Sequence, residues 1–428
     1  MQRTIIDITY LAHWQGKLTG IPRVINELAS RYSKSESNCI FVIWDNEYND
    51  LFEVDILKTL VNRGRSLHYI PAARVQNSGM SSRTIVLTGR AMRKAKSKYN
   101  LPVPTALIVR ALRDRKNLHK LLEVISGDTY VIMMGEWHTQ EYIDKIISYS
   151  KQGISLVQFC YDVLPLVQPQ YSGHSTLSMD NYNSQVMPLC TKVLCISQHT
   201  ARDLSDWLKS KKLPVPPLGV FRLGDDFEKK KTVKPGDQKF LQAFPNNCKY
   251  ILCVGTIEAR KNHMLLYYGY KLAAQRNITL PKLVIVGRRG WKTDDFYEFA
   301  TKDPIIENSF IFLESATDEE LSWLYEKAIL SVYPSFYEGW GLPIAESIMH
   351  GLPCISSNTS SMPEIAGSII NYFEPASTDE FLSSLQHLLI PSNLKAAKKK
   401  LKQYTPTTWD QTFKQVKNLI EEPHEELH

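Results

Sequence analysis

Short apolar runs alternate with amphipathic, helix-type segments along most of the chain. Strand-type runs occur at 4–11, 40–45, 129–134, 155–159, 192–197 and 220–223, and then at 250–254, 282–286, 309–313, 329–333 and 354–356. Runs that are apolar throughout are typical of strands buried on both faces of a parallel sheet. Helical segments such as 23–32, 51–61 and 264–275 lie between them, as in right-handed βαβ units. The pattern predicts an α/β fold.

This alternation is interrupted at residues 227–247, where charged residues, proline and glycine collect. A chain of 428 residues exceeds what one hydrophobic core usually organises, so we interpret the interruption as a connection between domains. The predicted domains are residues 1–235 and 236–405, followed by a final helical segment at 406–428. Both domains are predicted to be Rossmann-like and to face each other across a cleft.

The composition, 43% hydrophobic and 22% charged, is that of a globular protein. No apolar run approaches the roughly 20 residues that span a bilayer. Asp7 and His13 interrupt the apolar amino terminus, which is interpreted as a first strand and not as a signal peptide. The seven cysteines are scattered without a C-x-x-C pair, which predicts reduced thiols in a cytoplasm-like compartment and no zinc site.

The net charge of +7 is modest and partly clustered, for example at 93–98 and 110–116. A basic balance suits nucleic acid, anionic lipid or a phosphorylated substrate. The chain lacks a helix-turn-helix, zinc-finger or aromatic–basic RNA signature, so no nucleic-acid partner is expected. One hypothesis places a basic helix at 106–122 on an anionic membrane surface, and a surface helix with a solvated basic face is the alternative.

The densest group of chemical residues follows the apolar run at 329–333. A loop at 334–341 contains Gly339 and Gly341, and Pro343 suits the first turn of the next helix. The loop lies where a strand's carboxyl end meets a helix's amino end, which is the ligand crevice of an open α/β sheet. Glycine backbone and the positive end of a helix together favour a phosphate group there.

Two carboxylates, Glu338 and Glu346, frame this loop and the helix that follows it. Carboxylates repel phosphate but accept hydrogen bonds from sugar hydroxyls. A site that offers amides to phosphate and carboxylates to hydroxyls suits a nucleotide sugar. The alternative for Glu346 alone is a carboxylate that only favours the helix dipole.

A second signal is the adjacent pair Arg260 and Lys261, which follows the apolar run at 250–254. A diphosphate leaving group gains negative charge as its bond to a sugar breaks. Two cations at the end of a strand can neutralise that charge without a metal ion, since arginine offers a planar fork and lysine a point charge. An ordinary surface pair of cations is the alternative.

The run Tyr337-Glu-Gly-Trp-Gly-Leu-Pro343, with glutamates at 338 and 346, resembles the signature of glycosyltransferase family 4, and the segments at 351–354 and 362–366 also resemble this family. Its members are retaining enzymes of the GT-B architecture. The resemblance implies that the donor binds to the second domain and the acceptor to the first. It also implies that a last helix, at 409–420, crosses back to the first domain.

The resemblance extends to single residues. Residues 255–262 fit the family's phosphate-binding motif, and the loop at 15–22 approaches the donor phosphate and the acceptor in relatives. The loops at 287–291 and 314–317 flank the nucleobase in relatives. The resemblance implies catalytic roles for Glu338, Arg260, Lys261 and Asp162, and donor contacts from Gly20, Gly255, Asn262, Arg288, Glu314, Gly339, Trp340, Gly341, Leu342 and Glu346.

One position departs from the family pattern. Asp162 matches the aspartate of a pair that is often His-Asp, whereas Tyr161 stands where the histidine would be. No histidine role transfers to position 161. His138, which follows another strand-type run, is interpreted as a structural histidine that could alternatively compensate.

The implied function is retaining transfer of a hexose from a nucleotide diphospho-sugar to a glycan or lipid-linked glycan. Residues 19–24 resemble the version found in polysaccharide mannosyl- and rhamnosyltransferases, which favours GDP-mannose and O-antigen or capsule synthesis. Alternatives are a dTDP- or GDP-rhamnose or a UDP-sugar as donor, a phosphorylase or epimerase, and a catalytically silent assembly scaffold. No metal and no cofactor besides the donor are expected, and the expected location is the cytoplasm or the inner face of the cell membrane.

Overall fold

The computed structural model describes residues 3–14, 18–35, 38–46, 49–54, 122–172, 176–226 and 249–422. The predicted interdomain connection at 227–247 lies outside the described residues. The basic helix predicted at 106–122 also lies outside them, except for its last residue.

The first domain is built on a seven-stranded sheet. Its strands are β1 Thr4–Asp7, β2 Cys39–Asp45, β3 Asp50–Glu53, β4 Thr129–Ile132, β5 Ser155–Cys160, β6 Lys192–Cys195 and β7 Leu218–Val220. Their spatial order is β3-β2-β1-β4-β5-β6-β7. The described helices are α1 Thr9–His13, α2 Ile21–Tyr32, α3 Gln140–Lys151, α4 Leu164–Val167, α5 Thr176–Val186 and α6 Gln198–Ser210. The interior strands are buried on both faces, which explains their apolar sequences.

Two predictions of secondary structure in this domain are wrong. The strand predicted at 4–11 ends at Asp7, and a short helix follows it. The chain turns there because the buried carboxylate of Asp7 accepts hydrogen bonds from the backbone N–H and the hydroxyl of Thr9. Residues 51–53, predicted to begin a helix, belong instead to β3, which runs antiparallel to β2 at the edge of the sheet.

The second domain is built on a six-stranded parallel sheet. Its strands are β8 Tyr250–Val254, β9 Lys282–Val286, β10 Phe310–Leu313, β11 Leu330–Tyr333, β12 Cys354–Ser357 and β13 Asn371–Phe373. The spatial order is β10-β9-β8-β11-β12-β13, so the direction of winding reverses between β8 and β11. Ligands of open α/β sheets bind at such a switch point.

The helices that cover this sheet and end the described chain are α7 His263–Gln275, α8 Asp294–Lys302, α9 Asp318–Lys327, α10 Leu342–Met349, α11 Met362–Ala366, α12 Thr378–Leu389, α13 Pro391–Lys400 and α14 Trp409–Glu421. The last of them, α14, lies against the first domain, where the Thr412 hydroxyl donates to the carbonyl of Arg222 (2.8 Å). No helix among the described residues has the length and apolar character needed to cross a membrane.

The two domains are joined by a continuous buried cluster and by a reciprocal polar contact. Tyr161 of the first domain and Trp340 and Met362 of the second belong to one hydrophobic cluster. The carboxylate of Glu364 in α11 accepts from the backbone N–H groups of Gln198 and His199 at the start of α6 (2.8 and 2.7 Å). A carboxylate of one domain therefore caps a helix of the other.

Arg222 makes the return contact from the first domain. Its guanidinium donates to the carbonyl oxygens of Glu364 (3.2 Å) and Ile365 (2.9 Å) and to the hydroxyl of Tyr404 (2.9 Å). The guanidinium carbon also lies 5.2 Å from the centre of the Trp340 ring, within range of a cation–π interaction. Helix α11 is thus held from both sides by the first domain.

We predict that Arg222→Gln weakens the contact between the domains. The substitution removes the guanidinium hydrogen bonds to the second domain, and hydrogen bonds of charged groups contribute roughly 1.5–3 kcal/mol each. Open arrangements should become populated, and small-angle X-ray scattering should record a larger radius of gyration. Arg276→Gln is the matched control, because the Arg276 guanidinium forms an exposed ion pair with Asp379 within the second domain. Equal scattering from both variants and the wild type would contradict this role.

Candidate functional site

The switch point of the second sheet brings two loops together. One follows β8 and ends in the short helical turn Ala259–Lys261, and the other follows β11 and contains Glu338. β8 and β11 are adjacent parallel strands, so their carboxyl ends open at the same edge. The two loops also bond directly, since the Phe336 N–H donates to the Arg260 carbonyl (2.8 Å).

Glu338 lies between the two predicted cations. Its Oε2 accepts from Nη1 of Arg260 at 2.6 Å, and its Oε1 accepts from Nζ of Lys261 at 2.7 Å. The hydroxyl of Ser335 donates to the same Oε1 at 2.9 Å. The other arm of the guanidinium pairs with Glu258 (2.7 Å), which is also buried. Two cations and two carboxylates therefore form one charge-balanced cluster.

The charges in this cluster shift the acidity of its members. Burial alone would raise the pKa of Glu338, but the positive charges of Arg260 and Lys261 outweigh burial and lower its pKa to about 2. Burial is the largest influence on Glu258, whose pKa is raised even though the Arg260 and Lys261 charges oppose the change. Glu338 is therefore held as a carboxylate, whereas Glu258 is the easier of the two to protonate.

Two glycines permit the close approaches in this cluster. Gly255 has φ of +142°, and a Cβ there would lie 3.3 Å from Cε and Nζ of Lys261, so the lysine side chain passes across the end of β8. A Cβ on Gly339 would lie 2.2 Å from the carbonyl oxygen of Tyr161. A side chain at 339 could not fit without moving the two domains apart, so glycine is required for this contact.

The loop that carries Glu338 is fixed by two serines before α11. The Glu338 N–H donates to the hydroxyl of Ser360 (2.9 Å). The hydroxyl of Ser361 lies 2.8 Å from the carbonyl oxygens of both Glu338 and Trp340. Sequence reasoning assigned no role to these serines, although they directly precede the family-like segment at 362–366.

Helix α11 therefore connects the Glu338 loop with the first domain. Its preceding serines hold the loop, while Glu364 and the helix carbonyls bind α6 and Arg222. A further contact links the loop to α6, because the hydroxyl of Tyr337 donates to Oδ2 of Asp203 at 2.6 Å. Arg222, Asp203 and Glu364 were not singled out from the sequence, since each acts through a partner more than a hundred residues away.

Asp162 lies at the carboxyl end of β5, facing the cluster from the first domain. Its Oδ1 accepts from the Leu164 N–H at 3.1 Å. Burial raises the pKa of Asp162, and the positive charge of Arg260 opposes that rise. A Cβ on Gly339 would lie 3.2 Å from Cβ of Asp162, so Asp162 lies beside the Glu338 loop. The structure thus brings together Glu338, Arg260, Lys261, Asp162, Gly255 and Gly339.

Three other predicted donor residues have partners within the protein. Asn262 has left-handed backbone (φ 55°), and its amide nitrogen donates to the carbonyl oxygens of Pro334 and Pro375 (3.1 and 2.8 Å). Both amide hydrogens are therefore used to hold backbone. The buried Trp340 presents its ring to Arg222. Glu346 accepts from the Tyr325 hydroxyl (3.1 Å) and lies 3.9 Å from Arg23 across the cleft.

The remaining predicted residues lie in loops and at helix starts of the two domains. Gly20 precedes α2, and Gly341 and Leu342 lie at the amino end of α10. Arg288 follows β9, where its carbonyl accepts from the Ile257 N–H (3.0 Å), and Glu314 is exposed after β10. His138 is within 2.9 Å of the Ser178 hydroxyl and lies at an exposed position. The functional roles of all these residues stay predictions.

The site neutralises its own cations with carboxylates. A ligand that brings both negative charge and hydroxyl groups could replace these contacts, since phosphate can take the cations and hydroxyls can donate to Glu338. Within the described ranges, no three His, Cys, Asp or Glu side chains are grouped as ligands of a metal ion.

Known proteins resemble this chain at the level of sequence. Residues 236–405 match the family Glycosyl transferases group 1. The O-antigen chain mannosyltransferase B of Escherichia coli is 37% identical over 141 residues, which cover 32% of this chain and 37% of that protein. The serotype-specific mannosyltransferase WbdA of Escherichia coli is 25% identical over 257 residues, which cover 58% of this chain and 31% of that protein. The aligned stretches thus span about a third of each relative.

Solved structures match the fold over nearly the whole chain. HepE from Anabaena, in complex with UDP and glucose, covers 98% of this chain and 99% of its own, with a TM-score of 0.58 and 15% identity. WaaG, a glycosyltransferase involved in lipopolysaccharide biosynthesis, covers 98% of this chain and 100% of its own, with a TM-score of 0.57 and 14% identity. At such identities the likeness establishes the fold alone. The predicted GT-B fold class is confirmed.

We predict that the charge cluster makes the free energy of unfolding depend on pH, with lower stability in acid. The folded pKa of Glu338, about 2, lies below its ordinary value of 4.5, so its pairing stabilises the protein above about pH 4.5. That stabilisation, on the order of 3 kcal/mol, is lost as the pH falls from 4.5 towards 2. Glu338→Gln should lower the melting temperature at neutral pH, because it leaves two cations without their shared carboxylate. The difference from wild type should shrink below about pH 4.5, as thermal melts across pH would record.

The matched control for this measurement is Glu374→Gln. Glu374 lies in the same domain after β13, and its Oε1 accepts from the Ala376 N–H (3.2 Å) at an exposed position. Its melting temperature should follow the wild type across pH. A Glu338→Gln curve that stays parallel to the wild type down to pH 3 would contradict the assigned pKa shift.

Proposed function

We propose, from the glycosyl transferases group 1 domain that residues 236–405 form within a GT-B fold, that this protein is a retaining glycosyltransferase. The donor is a nucleotide diphospho-hexose, GDP-mannose, and the acceptor is a glycan or lipid-linked glycan of a surface polysaccharide. The choice of mannose rests on relatives whose names describe mannosyltransferases. The reaction takes place in the cytoplasm or at the inner face of the membrane.

The observation that carries this proposal is the meeting of Arg260 and Lys261 with Glu338 at the switch point of the second sheet. A buried lysine and a partly buried arginine at the end of a strand are suited to a diphosphate, because the surrounding protein excludes much of the water that would weaken the attraction. The amino end of α10, with Gly341 and Leu342, adds backbone N–H groups beside them.

In the proposed reaction the bond between the anomeric carbon and the diphosphate oxygen breaks. The electron pair stays on the diphosphate, and Arg260 and Lys261 stabilise the charge that develops there. The acceptor hydroxyl oxygen forms its bond to the same face of the anomeric carbon, so the configuration is retained. The hydroxyl proton passes to the leaving phosphate oxygen, which balances the exchange.

The carboxylates recognise the neutral parts of the donor. On donor binding, Glu338 exchanges part of its contact with the cations for hydrogen bonds from the sugar hydroxyls. Glu346, near the middle of α10, accepts from the ribose hydroxyls. Asp162 faces the same space from the first domain, where the acceptor approaches. The donor thus replaces contacts that these side chains make with one another.

We predict that Lys261→Met lowers turnover by on the order of 10²-fold, because one of the two cations that stabilise the leaving group is lost. Glu338 keeps Arg260 as a partner in this variant, so the fold should survive. Steady-state transfer from GDP-mannose to a mannan oligosaccharide measures the effect. The control is Lys271→Met, which removes a lysine of the same domain that pairs with Asp303. Turnover of Lys261→Met close to that of the control would refute the assignment.

A thermal-shift series should identify the donor. A ligand that binds only the folded protein stabilises it by about 2.7 kcal/mol at a hundred times its dissociation constant. GDP-mannose should raise the melting temperature more than UDP-glucose, dTDP-rhamnose or GDP-rhamnose at equal concentration. A larger shift with another nucleotide sugar would replace mannose in the proposal. Donor that binds but stays intact with a glycan acceptor would indicate a silent assembly scaffold.

A further inference from the structure

One face of the second sheet is covered by a layer of four helices, α7, α8, α12 and α13. Side chains of the first three form a buried cluster with the strands beneath them, and Leu394 and Ala397 of α13 pack against that cluster. Gly269 of α7 permits close contact with α12, since a Cβ there would overlap the ring of Phe381. The exposed side chains of these four helices therefore share one outer surface.

The α13 end of this outer surface carries unpaired positive charge. None of the residues of α13 is fully buried. Exposed lysines lie along the helix and just beyond its end, at Lys395, Lys398, Lys399, Lys400 and Lys402. Within the part of the chain that the structure describes, no ion pair includes any of them. The stretch 381–409 also contains no aspartate or glutamate, so no acid lies near them along the chain.

Elsewhere the same layer balances its charges. Its ion pairs are Lys271–Asp303, Lys302–Glu298 and Arg276–Asp379. The helix dipole favours lysines in the last turn of α13, but this preference does not extend to Lys395 in the middle of the helix or to Lys402 after it. The positive surplus is therefore a local property of α13 that helix stability alone does not explain.

The outer surface also carries exposed apolar side chains. Tyr268 of α7 is 48% exposed, Phe299 of α8 is 41% exposed, and Ile390, between α12 and α13, is 48% exposed. The rings of Tyr268 and Phe299 both contact the ring of Tyr267, with centroids 5.2 and 5.4 Å apart. Lysines together with exposed aromatic and aliphatic side chains are typical of protein surfaces that lie at the headgroup level of a membrane.

These features favour a bilayer over nucleic acid. Surfaces that bind single-stranded nucleic acid place aromatic or arginine side chains among their lysines, because bases stack on them. Residues 391–403 contain neither an aromatic residue nor an arginine. An anionic bilayer needs only lysines near its phosphates, and its headgroup region accepts apolar side chains beside them.

We propose that the outer surface of α7, α8, α12 and α13 binds an anionic lipid bilayer, with the α13 lysines at the lipid phosphates and Ile390 at headgroup level. This surface is distinct from the basic helix predicted at 106–122. The purpose of the binding rests on the proposed function, since a lipid-linked acceptor lies at a bilayer. The binding itself requires neither donor nor transfer.

Cosedimentation with vesicles that contain phosphatidylglycerol and phosphatidylcholine tests this surface. The α13 variant combines Lys398→Gln, Lys399→Gln and Lys400→Gln at exposed positions, so its melting temperature should stay close to that of the wild type. Each lysine near an anionic surface strengthens binding roughly fivefold, so this variant should bind the vesicles on the order of 10²-fold more weakly. Wild-type binding should also fall steeply at high salt and on vesicles of phosphatidylcholine alone.

The matched control, the α6 variant, changes Lys209, Lys211 and Lys212 to Gln. These exposed lysines also lie at the end of a helix, but in the first domain. The control loses the same net charge and should bind the vesicles as the wild type does. Equal binding by the two triple variants would overturn the proposed surface. A wild type that does not sediment with the anionic vesicles at low salt would overturn it as well.

Ile390→Ser tests a bilayer against a soluble polyanion. Serine suits the residue before a helix, so α13 should still begin at Pro391 while an exposed apolar side chain is lost. Binding to the anionic vesicles should weaken about threefold, because part of the isoleucine surface is buried on binding. Leu177→Ser is the control, since Leu177 is exposed in the first domain. Unchanged binding by Ile390→Ser would overturn the bilayer and indicate an acidic partner.

A transfer assay separates this surface from the proposed function. With GDP-mannose and a soluble mannan oligosaccharide, the α13 variant should turn over at the wild-type rate, because its lysines are not part of the charge cluster. Full transfer with weakened vesicle binding supports both proposals. Vesicle binding that depends on α13 in a protein without transfer supports the surface and overturns the function. Transfer with vesicle binding that does not depend on α13 overturns the surface alone.

Discussion

The ion pairs of Glu338 with Arg260 and Lys261 are the interaction on which the site depends. A carboxylate and two cations removed from water are stable only when they face each other and are hydrogen-bonded. The pairs form because β8 and β11 are neighbours in the sheet, so the loops after them meet at one edge. The fold thus places the two cations, Arg260 and Lys261, together at the switch point.

The same loop couples this charge cluster to the arrangement of the domains. Ser360 and Ser361 fix the Glu338 backbone, and α11, which follows them, is held by Arg222 and α6 of the first domain. Opening the cleft would break these contacts and would release the loop on which Glu338 lies. The hydrogen bonds of α11 and the serines before it therefore hold the domains together and also position the Glu338 carboxylate.

Sequence patterns were sufficient to predict the strands that are buried on both faces of a sheet. β8 and β9 have the bounds predicted from their apolar runs, because strands covered on both faces must be apolar throughout. The family-like segments led to Glu338, Arg260 and Lys261, which the fold brings together. The edge strand β3 was missed because it is defined by pairing with β2 and not by its own pattern. Arg222 and Glu364 were missed for a similar reason, since only the folded chain brings their partners near.

The balance of charge in the cluster bears on which ligands the site accepts. Glu258 and Glu338 together cancel Arg260 and Lys261, so a simple anion would enter a site without net positive charge. A bare diphosphate can take the cations, but it leaves the Glu338 carboxylate facing new negative charge. A nucleotide sugar brings hydroxyls that can satisfy Glu338 at the same moment. In the proposed reaction, the sugar hydroxyls that satisfy Glu338 favour the intact donor over the nucleoside diphosphate, and the return of Glu338 to its cations aids release of that product.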